Sequence, residues 1–242
     1  MIRAGAFVLA CLAGAAQGAD CRQERFAGNA YSICEIDLTR ERLELFLNGP
    51  DGKPYGHFGS LDRALHRNGL KLGFAMNAGM YHQDRAPVGY YLEQGEELQG
   101  VISSRGPGNF GMLPNGIFCI GEGRADVIET GRLLREAPEC RSATQSGPML
   151  VIDGALHPRF IASSDSLNIR NGVGTSADGR RAVFAIANEP VNFHHFARLF
   201  RDRLELPNAL YLDGRVSRLF APELGRNDFG LPMGPMVGVV AD

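Results

Sequence analysis

Glycine punctuates this chain more insistently than any other residue: 31 of its 242 positions are Gly, and they fall repeatedly between short apolar runs. Runs of that length are too short for packed helices but long enough for strands, which average about five or six residues. The pattern dictates many short strands joined by tight turns. Strands are expected at 32–38, 43–48, 73–77, 89–93, 98–102, 116–120, 125–129, 147–152, 172–176, 182–187, 210–213 and 236–240, with Asp153-Gly154 as a hairpin turn. Two stretches read as helix. Ser60 is placed to cap 61–68, closed by Gly69. Asn192 is placed to cap 193–204, where Phe193, Phe196, Ala197, Phe200 and Leu204 recur at helical spacing and form one apolar stripe. Strand 182–187, this helix and strand 210–213 together predict a βαβ unit with a right-handed crossover between parallel neighbours. The fold class that follows is α+β: a strand-rich single domain with a mixed β-sheet and few helices.

The first residues, MIRAGAFVLACLAGAAQGAD, carry one cation, Arg3, then an apolar stretch and a small-residue pattern. This is the form of a secretory signal peptide, with cleavage expected after Gly18 or Ala19. The organisation expected is a leader over 1–19 and one domain over 20–242, periplasmic or secreted once the leader is removed. Val8-Leu9-Ala10-Cys11 resembles a lipoprotein box, but would leave an apolar region shorter than the roughly 7–15 residues a signal requires. Beyond the leader there is no second run of about 20 apolar residues that could span a membrane. Cleavage removes Cys11 and leaves Cys21, Cys34, Cys119 and Cys140, an even set that favours two disulfides in an exported protein. Four cysteines allow three connectivities; nearness in sequence favours Cys21 with Cys34 and Cys119 with Cys140. The composition, 44% hydrophobic and 21% charged with a net charge of −2, is ordinary for a globular protein and gives no sign of a nucleic-acid surface.

Chemistry is suggested where polar residues end apolar strands. Leu210-Tyr211-Leu212 runs into Asp213, followed by Gly214 and Arg215. Ligands bind at the carboxyl ends of strands that feed crossover helices, and Gly214 allows a sharp turn that would present the carboxylate into a cleft. The competing reading is a plain turn, the Asp213 side chain bonding its own backbone. Asn77 and Glu189 close two other apolar strands in the same manner, and Arg170 opens the glycine-flanked strand at 172–176. A guanidinium there is suited to hold a phosphate or carboxylate, or else forms a surface ion pair of little worth. Two carboxylates, an arginine and an amide suit a glycosyl-transfer or hydrolysis centre, and the arginine suggests an anionic leaving group.

Other signals are weaker. No pair among His57, His66, His82, His157, His194 and His195 has the spacing of a helical zinc site. His57 and His82 lie near glycine-rich turns and are candidate site residues. His194 and His195 project to different sides of their helix. Ser146 lacks the frame of a nucleophile elbow, and Gly106 to Gly111 lacks the lysine of a phosphate-cradling loop, reading instead as a rigid turn walling the cleft.

Six motifs in order, Asn77-Ala78-Gly79-Met80-Tyr81, Ala86-Pro87-Val88-Gly89, Pro114-Asn115-Gly116-Ile117-Phe118, Ser146-Gly147-Pro148-Met149-Leu150, Arg170-Asn171-Gly172-Val173-Gly174 and Ala209-Leu210-Tyr211-Leu212-Asp213-Gly214, resemble the phosphodiester glycosidase family. The resemblance covers nearly all of the chain after its leader. It implies hydrolysis of a sugar-1-phosphodiester without a cofactor, with the phosphate staying on its other alcohol. It further implies that Asp213 and Glu189 are catalytic and that Arg170, Asn77, Arg215 and Ser217 bind substrate. Arg215 and Val216 replace two glycines of the family's Leu-Asp-Gly-Gly-Gly-Ser motif, while Ser217 is kept. The expected function is an exported hydrolase acting on envelope or extracellular glycans, with a carbohydrate phosphodiester as partner. A non-catalytic polysaccharide-binding protein is the alternative, disfavoured because the chain has no Trp to serve as a sugar platform. A metal-dependent hydrolase is a third reading.

Overall fold

The computed structural model describes residues 18–241; the expected leader lies outside the described residues, apart from Gly18 and Ala19. The chain begins with β1 (Asp20–Phe26), β2 (Asn29–Asp37), β3 (Arg42–Phe46) and α1 (Phe58–His66). It continues through β4 (Lys71–Asn77), β5 (Tyr91–Glu93), β6 (Glu96–Gln99), β7 (Gly116–Ile120), β8 (Ala125–Glu129) and α2 (Thr130–Glu136). Then come β9 (Ser142–Ser146), β10 (Met149–Ile152), β11 (Ala155–Leu156), β12 (Asn171–Thr175), β13 (Arg181–Ala187) and α3 (Phe193–Arg198), which runs on as a π-helical turn over Leu199–Arg203. The last strands are β14 (Asn208–Asp213), β15 (Leu219–Ala221), β16 (Arg226–Asn227) and β17 (Met236–Ala241).

These strands form three sheets, in the orders β1-β2-β13-β12-β14-β10-β11, β16-β15-β4-β17-β3 and β6-β5-β9-β7-β8. The fold is α+β and strand-rich, as the glycine pattern implies. Every strand pairing among the described residues is antiparallel, which corrects the expectation of a mixed sheet. β13 and β14 do flank a crossover helix, but they are not neighbours. β12, the hairpin partner that precedes β13, occupies the place between them and pairs antiparallel with both.

All three sheets meet in one core. The Phe184 ring from β13 lies 4.9 Å from Phe74 of β4 and 5.7 Å from Phe118 of β7, and all three rings are essentially inaccessible. The opposite face of the first sheet is covered by α3, whose Phe196 and Phe200 pack with Tyr31, Ile33, Val183 and Ala185. Gly172 and Gly174 make room for it: a Cβ at 172 would sit 3.3 Å from the Phe196 ring, and one at 174 would sit 3.0 Å from Phe200. The Asn192 side chain caps α3 by accepting from the His195 N–H at 2.9 Å. By contrast α1 starts at Phe58 rather than after Ser60, because Phe58 joins Leu61 and Leu65 on the buried face and draws the helix start back to His57. β6 stops at Gln99, short of the expected 98–102 strand; the Gln145 side chain ties the Ile102 backbone instead. The disulfides are Cys21–Cys34, across β1 and β2, and Cys119–Cys140, from β7 to the approach of β9. No helix among the described residues is long and apolar enough to cross a membrane.

Replacing Phe184 by Ala should remove the contact shared by all three sheets and lower unfolding stability by about 3–5 kcal/mol in a denaturant titration. A loss below about 1 kcal/mol would show that the sheets do not depend on this junction.

Candidate active site

A cleft of about 740 Å³ opens where β4 and β14 end, walled by the loop after β4, the turn at 107–110, the segment 213–216 and Leu231-Pro232. Asp213 lies on its wall and is only 8% exposed. The register of β12 against β14 slips at this point: Gly172 faces Tyr211 while Asn171 faces Asp213, leaving Leu212 as the extra residue of a bulge. Simple alternation would set Asp213 on the helix-covered face beside Tyr211; the bulge re-aims it. The Asn171 side chain fixes the result, its Oδ1 accepting from the Asp213 N–H at 3.2 Å and its Nδ2 donating to Asn77 Oδ1 at 2.7 Å. Asn77 Oδ1 also accepts from the Arg218 N–H at 3.0 Å, which orients the amide without ambiguity and leaves Nδ2 buried without a protein partner.

Asp213 Oδ1 accepts the Arg215 N–H at 2.9 Å, so the turn reading is also correct: the side chain does close onto its own backbone. No other side chain hydrogen-bonds to this carboxylate among the described residues. Burial raises its pKa above the usual carboxylate range, opposed by the N–H groups of Arg215, Gly214 and Val216 and by the Arg215 charge. Gly214 must be glycine for reasons of space, since a Cβ would run into the Tyr211 hydroxyl. Arg215 is exposed and lines the cleft, as do Arg85 and His82. The cleft therefore combines one buried carboxylate with a cationic rim.

The remaining sequence candidates stand elsewhere. Glu189 is not brought to Asp213: it follows β13, which β12 separates from β14 by two strand spacings, roughly 10 Å, and its side chain accepts from the Ala30 N–H at 2.7 Å. Arg170 is 1% exposed and does not face the cleft directly. Its Nε and Nη2 donate to the carbonyls of Val191 and Ser166, both at 2.8 Å, and its guanidinium lies 3.6 Å above the Phe193 ring. Ser217 Oγ is within hydrogen-bond reach of the carbonyls of Ile169 at 2.8 Å and Asp213 at 2.9 Å, stitching the loop after β14 rather than facing the cleft. His57 stacks on Phe229 at 5.6 Å, away from Asp213.

Sequence reasoning missed Tyr81, Arg85 and Tyr211. Arg85 lies 5.5 Å over the Tyr81 ring, and burial followed by the Asp213 charge raises the Tyr81 pKa. The signal for Tyr211 was present: a hydroxyl in an otherwise apolar run, two residues before the carboxylate. A second groove, of about 500 Å³, is lined by Arg42, Arg124 and Arg141, whose guanidiniums pair with carboxylates outside it, Arg124 with Asp126 at 2.9 Å and Arg141 with Glu44 at 3.8 Å. No group of three or more metal-ligating His, Cys, Asp or Glu side chains occurs among the described residues.

The chain belongs to the phosphodiester glycosidase family, whose model matches residues 71–230, a span that includes Asn77, Tyr81, Arg170, Tyr211, Asp213 and Arg215. Membership carries a glycosidase-like function. A relative of Escherichia coli (strain K12), the uncharacterized protein YigE, is 32% identical over 185 residues, 76% of this chain and 72% of YigE. Among solved structures, the chain resembles the catalytic domain of zebrafish N-acetylglucosamine-1-phosphodiester alpha-N-acetylglucosaminidase, auto-inhibited by its pro-peptide, with TM-score 0.64 and 13% identity over 94% of this chain and 84% of that one. It also resembles a hypothetical protein from Synechocystis, with TM-score 0.59 and 12% identity over 92% of this chain and 61% of that one. At these identities the two structures speak to the fold alone.

Because burial raises the Asp213 pKa, its folded state binds a proton more readily than its unfolded state. The penalty for keeping it ionised is full at neutral pH and vanishes below the ordinary carboxylate value near 3.8. Asp213→Asn should therefore raise Tm at pH 7 by a few degrees, on the order expected from ~1 kcal/mol, with the gain shrinking as the pH falls toward 4. A Tm lowered at pH 7 would mean that the ionised carboxylate stabilises the fold.

Proposed function

We propose that this protein is an exported hydrolase that cleaves sugar-1-phosphodiesters of envelope or extracellular glycans. The observation that carries the reading is the buried carboxylate of Asp213 in a cleft rimmed by Arg85 and Arg215, within a chain of the phosphodiester glycosidase family. The leader-like start and the two disulfides support export.

The chemistry follows from the charges. Water adds to the anomeric carbon while the bond from that carbon to the phosphate oxygen breaks, its electron pair leaving on the phosphate. A phosphomonoester is a good leaving group and needs little protonation, so one carboxylate suffices where ordinary glycosidases employ two. Arg85 and Arg215 neutralise the charge that grows on the phosphate. Asp213, ionised, stabilises the oxocarbenium-like carbon and takes the proton of the attacking water; its raised pKa makes it the better base. The products are a free sugar and a phosphate still esterified to its other alcohol. Glu189 has no part in this scheme.

A panel of sugar-1-phosphodiesters should reveal turnover by the wild type that drops roughly 10²–10⁴-fold in Asp213→Asn. The acidic limb of kcat/KM should lie above the ordinary carboxylate value near 3.8 and move further up in Arg215→Gln, since the Arg215 charge holds the Asp213 pKa down. No turnover across the panel, with polysaccharide still bound, would favour the binding-protein alternative.

A further inference from the structure

Tyr211 is left unused by that chemistry. Its side chain is wholly buried and contributes to the cleft wall, yet no hydrogen bond of good geometry satisfies its hydroxyl, although the Arg170 and Asn109 side chains stand beside it. A buried polar group in that state costs about 1–3 kcal/mol, a cost phenylalanine would avoid. The ring is held by a T-shaped contact with Phe193 at 4.8 Å, and the Arg170 guanidinium lies 5.6 Å from the ring centre. The hydroxyl instead abuts Gly214, the residue next to Asp213.

Arg170 presents the complementary anomaly. Its Nε and Nη2 are anchored on carbonyls, while Nη1 is buried without a partner. Burial, with the Asp213 charge, pushes the Tyr211 pKa well above that of an ordinary phenol and prevails over the lowering effects of the Arg170 charge and of the Arg170 and Asn109 side chains beside the hydroxyl, so the hydroxyl keeps its proton at neutral pH. Such a hydroxyl is a donor, and the rim around it is cationic.

We propose that Tyr211 Oη, backed by Arg170 Nη1, forms an inner anion subsite of the cleft that donates a hydrogen bond to a non-bridging oxygen of the substrate's phosphate. This rests on the reading of the cleft as a phosphodiester site. When the phenol proton turns to the phosphate, the oxygen's lone pairs face Arg170, and one anion satisfies both orphaned atoms. Arg170 is thus a positioning residue that acts through Tyr211, not a direct phosphate ligand.

Calorimetric titration of the purified protein with inorganic phosphate tests this. Tyr211→Phe should leave Tm in the absence of phosphate unchanged or higher, and should weaken phosphate binding roughly ten- to a hundredfold, the worth of one hydrogen bond to a charged group. Arg170→Lys should weaken phosphate binding in the wild-type background but add little in the Tyr211→Phe background; equal losses in both would assign Arg170 a purely structural role. Phosphate binding lost in Arg215→Gln but intact in Tyr211→Phe would overturn the subsite while leaving the cleft reading in place. Failure of the wild type to bind phosphate would overturn both.

Discussion

The carboxamide of Asn171 joins the two sheets on which the cleft is built. One end holds Asn77 at the close of β4 and the other holds the Asp213 backbone at the close of β14, so two strands from different sheets end at a fixed separation. The third sheet is tied in by the same means. Thr144 and Ser146 of β9 donate to the carbonyls of Ala78 and Leu212 at 2.8 and 2.7 Å. The apolar rings at Phe74, Phe118 and Phe184 decide that the sheets meet; these short polar side chains decide how their ends align. Hydrophobic burial is non-directional, whereas a hydrogen bond sets position to within a few tenths of an ångström.

The cost of the site is visible in what it leaves unpaired. Asn77 Nδ2, Arg170 Nη1 and Tyr211 Oη are all buried without a well-formed protein hydrogen bond, and all three lie in the framework around one carboxylate whose pKa burial has raised. Native interiors hold few such groups. Three donors beside a cationic rim make a region that is destabilised when empty and complementary to an anion. That combination supports the proposal that this strand end forms the active site.

Much of the fold was legible because most strands are apolar runs bounded by glycine. β9 was not: its sequence, Ser-Ala-Thr-Gln-Ser, reads as a polar loop, yet every residue is buried, and Gln145 alone bonds the backbone of Tyr90 and Ile102 and the Thr130 hydroxyl. Its role is to serve other strands' ends, which no local pattern records. β1, rich in charge, escaped notice because it is an edge strand, where polar residues are normal. The parallel pairing of β13 with β14 failed because local order cannot reveal that β12 intervenes. At the site, Asp213 was legible from its glycine-bounded strand end. The displacement of Glu189 depends on sheet order, and the indirect placement of Arg170 depends on an aromatic stack with Phe193; both are properties of the assembled sheet.

The most direct test is a crystal structure of Asp213→Asn soaked with a sugar-1-phosphodiester. The phosphate is expected between Arg215 and the Tyr211 hydroxyl, with the anomeric carbon facing the side chain at 213. A ligand bound with its phosphate away from these residues, or with its anomeric carbon turned from position 213, would contradict this expectation.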